Sequence, residues 1–251
     1  MTKICYYKGM RKLSVFLVFC FLSPFVFGME IFVHKTNEKI GSSCQAVRIK
    51  DNWFITAAHC VKPHCEKSSC EAEIPFGKTD KSNIFWHDKA KTDKTYYDIA
   101  LVNFKDIKDL SSFNPPNILI LDNISAETPK VLKRSLSVVY SKMLKPGQLN
   151  SGGYVFYGPK NKIIFTKEFG VFRGVSGAGV FTDKNELISV VSGITGQGGS
   201  AEYSVFSVFD GEVRDFLKSH ILGLNFTYLN SKDLYEIPEQ EKEKAYSLDN
   251  N

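Results

Sequence analysis

The sequence predicts an all-β fold with a single helix near its C-terminal end. Short segments rich in β-branched and aromatic residues recur along the chain, and Gly, Asn, Asp and Pro bound them. Helical periodicity is rare by comparison. Hydrophobic residues make up 43% of the 251 residues, which is enough for a folded core. Many short strands of this kind are typical of β-barrels and β-sandwiches.

The first 28 residues have the pattern of a secretory signal peptide. A basic head that contains Lys3 and Arg11 precedes an apolar run from Leu13 to Phe27. A membrane-spanning helix is the alternative, but this run contains Pro24 and is shorter than the about 20 residues that such a helix needs. We therefore expect a secreted or periplasmic protein without stable membrane insertion once the signal is removed.

Removal of residues 1–28 also changes the charge balance. It takes away four of the 32 basic residues and none of the 27 acidic residues, which leaves a net charge of +1. This balance gives no reason to expect nucleic-acid binding.

Eight strands are predicted before the helix. They are Gln45–Ile49, Trp53–Ile55, Ile99–Phe104, Leu136–Ser141, Gly153–Tyr157, Lys162–Phe169, Leu187–Val191 and Tyr203–Phe209. Asp51-Asn52 predicts a turn, and Asn114-Pro115-Pro116-Asn117 predicts a linker. Asp210 is suited to cap the helix, in which apolar residues recur at helical spacing as Val213, Phe216, Leu217 and Ile221. Residues 230–251 are polar and predict a flexible tail.

Three short motifs carry residues suited to catalysis. Thr56-Ala57-Ala58-His59-Cys60 puts an imidazole at a strand end, and Tyr97-Asp98-Ile99-Ala100-Leu101-Val102 puts a carboxylate beside a buried strand. Gly174-Val175-Ser176-Gly177-Ala178-Gly179-Val180 surrounds a serine with glycines that permit a tight turn. Taken singly, each motif has an ordinary interpretation: a core or surface histidine, a solvated aspartate or a glycine-rich turn. Together they provide a base, an orienting carboxylate and a nucleophile.

In their order along the chain, these motifs resemble those of the trypsin-like (chymotrypsin-fold) serine peptidases. The matches are sharp at residues 56–60, 98–101 and 174–178. The resemblance implies an all-β fold of two six-stranded antiparallel β-barrels with a C-terminal helix. Residues 29–120 would form the N-terminal barrel with the histidine and the aspartate. Residues 121–229 would form the C-terminal barrel and helix with the serine, and residues 230–251 the tail.

The resemblance also implies the role of each site residue. His59, Asp98 and Ser176 would form a catalytic triad, and the amides of Gly174 and Ser176 would form the oxyanion hole. The substrate would be a polypeptide, and no metal or organic cofactor is needed. A catalytically inactive binding module on the same fold is the alternative, and an esterase or a narrow processing enzyme with the same triad is a third possibility.

Two regions are candidates for substrate recognition. Ser192-Gly193-Ile194 resembles the edge segment with which the family pairs substrate backbone. The pocket base lies six residues before the serine in the family, and here that position is Gly170 rather than an acidic residue. A small or apolar substrate side chain is therefore expected, in a pocket lined by Gly170, Val171, Gly193, Ile194 and Ser204.

Four cysteines remain outside the signal segment: Cys44, Cys60, Cys65 and Cys70. An even number in an exported chain indicates two disulfides, and four cysteines allow three pairings. The family resemblance implies a Cys44–Cys60 bridge, which leaves Cys65–Cys70. A metal site formed by Cys60, His64, Cys65 and Cys70 is the competing interpretation, which an oxidising compartment disfavours.

The chain departs from the family at the residue before the serine. Many animal members have an aspartate there, which pairs with a new N-terminus after activation cleavage, whereas this chain has Val175. No matching N-terminal sequence occurs near Met29. We therefore expect the oxyanion hole to form without removal of a propeptide, a feature that resembles bacterial members of the family more than digestive ones.

Overall fold

The computed structural model describes residues 28–90, 97–105, 107, 114–122, 124, 126–142, 145–150, 154–167, 171–195 and 203–250. These residues form two β-sheets, three α-helices and short 3₁₀ turns. The predicted signal segment, apart from Gly28, and the predicted pocket residue Gly170 lie outside the described residues.

The first sheet contains seven strands among the described residues. Their order across the sheet is β5-β4-β1-β2-β3-β7-β6, and every pair is antiparallel. The strands are β1 (Gly28–Lys35), β2 (Gly41–Lys50), β3 (Trp53–Thr56), β4 (Cys70–Ile74), β5 (Gly77–Asp80), β6 (Ile84–Trp86) and β7 (Ala100–Asn103).

Burial in the first sheet follows the period of two expected for a strand with one face toward a core. Ile31 and Val33 of β1 are fully buried, whereas Phe32 between them is half-buried. The Asp51-Asn52 turn joins β2 to β3 as predicted, with Asp51 at a φ of 42°. Helix α1 (Ala58–Cys65) follows β3 directly and buries Val61 in the same core.

The second sheet contains eleven strands among the described residues. Nine of them follow the order β11-β10-β14-β15-β16-β13-β12-β9-β18 in antiparallel pairs, and β8 pairs in parallel with β15 and β17. The strands are β8 (Asn117–Ile120), β9 (Lys130–Leu132), β10 (Leu136–Lys142), β11 (Lys145–Asn150), β12 (Val155–Gly158), β13 (Ile163–Lys167), β14 (Gly179–Thr182), β15 (Glu186–Thr195), β16 (Tyr203–Val208), β17 (Phe226–Tyr228) and β18 (Leu234–Tyr235).

The two sheets and the C-terminal helix confirm the predicted two-barrel, all-β fold. The described sheets have seven and eleven strands rather than six each, and three of the additional strands in the second sheet, β8, β17 and β18, come from connecting and C-terminal segments. Since β8 belongs to the second sheet, the chain passes from one sheet to the other before Asn117, rather than after residue 120 as expected.

An apolar cluster joins the two sheets. Val47 and Ile55 of the first sheet share this cluster with Phe181 and Val190 of the second sheet. Helix α2 (Gly211–His220) covers it with Val213 and Leu217, among other residues. The predicted cap is present, since Asp210 Oδ1 accepts hydrogen bonds from the amides of residues 212 and 213 at 3.0 and 3.2 Å. The cluster packs central strands of the two sheets together, β2 and β3 of the first sheet with β14 and β15 of the second.

The prediction of a flexible tail over residues 230–251 requires a correction. Residues 230–250 contain two 3₁₀ turns, strand β18 and helix α3 (Lys242–Asn250), and they pack against the second sheet. Ile237 and Ala245 are 5% and 2% exposed, in a cluster that contains the strand residues Phe156, Phe165 and Tyr203. These few apolar contacts fasten the segment although its average composition is polar.

Asp249 attaches the end of this segment by hydrogen bonds. It is 4% exposed, and its carboxylate accepts from the amides of Lys160 and Asn161 at 3.2 and 3.1 Å. Burial raises the pKa of Asp249 above its usual value, and these hydrogen bonds oppose the shift. Composition alone missed this contact because its partners lie far away in the sequence.

None of the helices in the described part of the chain has both the length and the apolar character needed to cross a membrane.

Candidate active site

His59 lies in the first turn of α1, directly after β3. Ala57 is extended, so the His59 amide is one of the first N–H groups of the helix, which have no acceptor within the helix itself. Asp98 Oδ1 accepts a hydrogen bond from this amide at 2.7 Å. The same carboxylate thus stabilises the start of α1 and fixes the His59 backbone.

Asp98 occupies a tight turn just before β7. The Ile99 amide donates to the carbonyl of Tyr97 at 2.6 Å, which places Asp98 at the centre of a three-residue turn. Tyr97 itself has a positive φ of 45°, a conformation that a bulky residue adopts only when its surroundings hold it there. Its hydroxyl donates to Asp210 Oδ2 at 2.9 Å, so the cap of α2 anchors the turn. Burial and Asp210 raise the pKa of Tyr97 well above its usual value.

Three donors surround the Asp98 carboxylate, which is 2% exposed. Besides the His59 amide, His59 Nδ1 and Ser192 Oγ each lie 2.6 Å from Oδ2. A buried carboxylate needs such partners in place of water. Because a carboxylate only accepts, Nδ1 carries the proton, and Nε2 is the basic nitrogen of the neutral ring. The His59 side chain is 29% exposed, so a bound molecule can reach it.

Two consecutive tight turns build the segment around Ser176. Val175 N–H donates to Phe172 O at 3.2 Å, and Ala178 N–H donates to Val175 O at 2.9 Å. The third residue of each turn is a glycine with positive φ, +92° at Gly174 and +80° at Gly177. This is the pattern of type II turns, which require glycine at that position. The spacing of the two glycines in the motif therefore has a direct backbone cause.

The serine turn packs against the strand that leads into His59. A Cβ on Gly177 would lie 2.2 Å from Gln45 O, 2.3 Å from Thr56 Oγ1 and 3.0 Å from Ala57 N. Ser176 O also accepts from Gln45 N–H at 2.7 Å. The chain around residue 177 thus contacts the β3–α1 junction, which brings the serine and histidine segments together. No hydrogen bond joins Ser176 Oγ to the His59 ring, both of which the structure describes, and such bonds are often long in sites without substrate.

Gln45 is a residue of this site that sequence reasoning missed. Its side chain is buried between the sheets, with Nε2 3.2 Å from Gly174 O and Oε1 2.8 Å from Ser141 N. The signal in the sequence was weak, a polar residue between Cys44 and the apolar pair Ala46-Val47.

Comparisons with known proteins give a family match and matches to solved structures. A family model described as Trypsin matches residues 28–119, which include His59 and Asp98. The resemblance to the trypsin-like serine peptidases is confirmed. A solved structure titled "HL collagenase structure at 1.7 Å resolution" matches with a TM-score of 0.53 and 19% identity, over 77% of this chain and 93% of that one. At that identity the structural match shows the fold. A search of curated proteins finds no match. The trypsin-type match supports a serine-protease function with peptide substrates.

The described residues that were predicted to bind substrate differ in their contacts and exposure. Ser192 points its hydroxyl at Asp98, a role that sequence reasoning missed. Gly193 lies at a bulge where a Cβ would meet nothing within 4 Å, and Ile194 is 50% exposed. Val171 and Ser204 are buried, at 8% and 3% exposure.

Within the described part of the chain, one edge of β15 is unpaired near the candidate site. Residues 193–195 of β15 pair with β16, whereas β14 pairs with β15 only as far as Gly179 and Val190. Val191 still bonds to residues 177 and 178, and beyond Val191 the described residues offer no second backbone partner for β15. The open stretch begins next to the serine turn, since Gly177 N–H donates to Val191 O at 2.7 Å.

The cysteines pair as the family resemblance implied. Cys44–Cys60 and Cys65–Cys70 are both disulfides, so none of the four is a thiolate, which rules out the competing metal site. A separate group of His34, Glu71 and Glu73 lies on the outer face of the first sheet, with ligand atoms within 4.8 Å of one another. His34 Nε2 lies 3.5 Å from Glu73 Oε1 there, a direct contact between the two side chains that needs no metal ion to explain it.

Proposed function

We propose that the chain is a secreted or periplasmic serine endopeptidase whose catalytic triad is Ser176, His59 and Asp98. The close packing of Gly177 against the β3–α1 junction is the observation that carries this proposal, because it brings the serine turn to the histidine that Asp98 orients. The disulfides and the predicted signal segment support export. The proposed division of residues 29–229 into two barrels is consistent with an active site that lies between the barrels.

The mechanism follows from the orientation of His59. Nε2 accepts the Ser176 hydroxyl proton as Oγ attacks the carbonyl carbon of the scissile peptide bond. The protonated ring is stabilised by Asp98, which already accepts from Nδ1. Collapse of the tetrahedral intermediate breaks the C–N bond, and His59 gives its proton to the leaving amine. His59 then deprotonates a water that hydrolyses the Ser176 ester and restores the hydroxyl. No step requires a metal or an organic cofactor.

Two backbone amides are suited to stabilise the tetrahedral oxyanion. Among the described residues, no acceptor takes the amide hydrogens of Gly174 and Ser176. Donors that are fixed in position and lack a partner are what an oxyanion hole requires. The type II turns hold these amides without any charge at Val175, which supports a site that forms without propeptide removal.

The open edge of β15 is the proposed substrate-binding strand. An extended peptide can pair there with residues 192–194 by strand addition. Ile194 is 50% exposed along this edge and offers an apolar surface to a bound peptide. We infer a preference for small or apolar side chains, since the position six residues before Ser176 is a glycine rather than an acidic residue.

Labelling with a serine-directed fluorophosphonate tests the proposal. The full chain, produced in an exporting host so that both disulfides form, should be labelled at Ser176, and Ser176→Ala should abolish labelling and casein hydrolysis together. Ser219→Ala is the matched control, because Ser219 is exposed on α2 away from the motifs.

The other outcomes separate the alternatives. Ester hydrolysis without cleavage of casein or of a peptide library would indicate an esterase. A folded chain that neither labels nor cleaves would indicate an inactive binding module, and casein cleavage that survives Ser176→Ala would contradict the proposed nucleophile.

A further inference from the structure

The turn around Ser176 is held by an amide side chain rather than by an ion pair. Val175, which precedes the serine, is 1% exposed and packs in the apolar cluster of the second sheet. Its side chain has no polar atom that could hydrogen-bond to the turn. Besides backbone hydrogen bonds within the second sheet, the segment has a side-chain contact from Gln45, on the opposite sheet.

Gln45 makes three hydrogen bonds across the junction of the two sheets. Its Nε2 donates to Gly174 O at 3.2 Å, and its backbone N–H donates to Ser176 O at 2.7 Å. Its Oε1 accepts from the amide of Ser141, which lies in β10, at 2.8 Å. Gln45 is 3% exposed, so water cannot replace these partners. A buried side-chain amide in such a position is stable only when it is hydrogen-bonded.

Gln45 holds the carbonyls of Gly174 and Ser176, which belong to the peptide groups before and after the Val175–Ser176 peptide. These two hydrogen bonds set the direction of the proposed oxyanion donors. A glycine populates positive and negative φ about equally, so the Gly174 N–H can swing unless a neighbouring peptide plane is held. Gln45 Nε2 and the bond from Val175 N–H to Phe172 O together hold the next plane. Gln45 N–H holds the carbonyl of Ser176 in the same way.

We propose that Gln45 is a positioning residue that locks the serine turn in its catalytic conformation and so replaces an activation-dependent latch. This inference rests on the proposed serine-peptidase function. Gln45 does not touch the reacting atoms. It acts through the Gly174 and Ser176 peptides, and Ser141 keeps its side chain extended toward them.

The expected effect lies below that of losing an oxyanion donor outright, which costs about 100- to 1000-fold in turnover. Gln45→Met keeps the side-chain length and burial but removes both side-chain hydrogen bonds. Gln45→Glu keeps an acceptor for Ser141 but, when ionised, has no donor for Gly174 O. Both variants should lower the fluorophosphonate labelling rate and kcat by about 10- to 100-fold with KM nearly unchanged.

The experiment compares these variants with Gln240→Met, which changes an exposed glutamine far from the turn. A purely structural role would lower the midpoint of urea unfolding and leave the kcat of folded protein unchanged. A labelling rate for Gln45→Met equal to that of the wild type would overturn the inference and leave the proposed function intact.

Hydrogen–deuterium exchange gives a readout that does not need activity. The amides of Val175 and Ala178 should exchange faster in Gln45→Met than in Gln240→Met, because the turn opens more often. If the wild type fails to label, the proposed function fails by itself, and the exchange data still decide whether Gln45 holds the turn. Equal exchange of these amides in the two variants would refute that role.

Discussion

Gly177→Ala tests the contact on which the whole candidate site depends. The added methyl group would meet Gln45 O at 2.2 Å and Thr56 Oγ1 at 2.3 Å, whereas ordinary carbon contacts begin at about 3.5 Å. Gln45 O belongs to the backbone of β2, between β1 and β3, and cannot move alone. The serine turn must therefore move away from the β3–α1 junction, and Ser176 with it.

The magnitude has two parts. Alanine at a φ of +80° costs about 1–2 kcal/mol in the backbone, and overpacking of this contact adds about 1–3 kcal/mol. Gly177→Ala should therefore lower the free energy of unfolding by about 2–5 kcal/mol. Displacement of Ser176 by about 1 Å should also reduce kcat/KM by about 100-fold.

Gly174→Ala is the matched control for the backbone part. Its φ is +92°, but a Cβ there meets nothing within 4 Å, so only about 1–2 kcal/mol is expected. Urea unfolding of both variants with intact disulfides, read as midpoints at constant m, gives the two free energies. If Gly177→Ala cost no more than Gly174→Ala, the serine turn would not be packed as described, and the argument for the triad would lose its main support.

Three further changes test other parts of the molecule. Asp98→Asn should reduce kcat by about 10⁴-fold, because an amide in place of the carboxylate no longer fixes the proton on His59 Nδ1; a loss below tenfold would contradict the role of Asp98. Burial lowers the pKa of His87 below its usual 6.5, so the unfolded chain takes up more protons and the free energy of unfolding should fall as the pH drops below about 6.5. In His87→Phe, the decrease in the free energy of unfolding between pH 7.5 and pH 5.5, measured by urea titration, should be smaller than in the wild type. An equal decrease in the two proteins would contradict this role of His87. Cys65→Ser with Cys70→Ser opens a loop with a sequence separation of 5 and should cost about 2 kcal/mol in the same assay, whereas a loss of all structure would show a larger role.

The sequence predicted the motifs of the site because their causes are local. A tight turn with positive φ needs glycine at fixed positions, and both Gly174 and Gly177 stand where the type II turns require them. The Asp210 cap and the Asp51-Asn52 turn were likewise readable from residue type, since each acts within a few residues of itself.

Contacts between distant parts of the chain could not be predicted in this way. Gln45 bonds to residues 96 and 129 positions later, and no property of a glutamine in a strand reveals such partners. Ser192 was assigned to substrate binding, and its hydrogen bond to Asp98 depends on how the sheets meet. Strand β1 directly follows the predicted signal segment and was not among the predicted strands, because its pairing with β2 and β4 joins residues that are distant in sequence.

The ordered segment after β17 has a consequence for how the protein would withstand attack by proteases. Its helix shields the aromatic side chains Phe156, Phe165 and Tyr203, which the strands alone leave uncovered. A single cut before Ile237 could release this cover while both disulfides and all three motif residues stay in place. The cleaved molecule would then expose an aromatic surface. We expect it to self-associate before its rate of peptide hydrolysis falls.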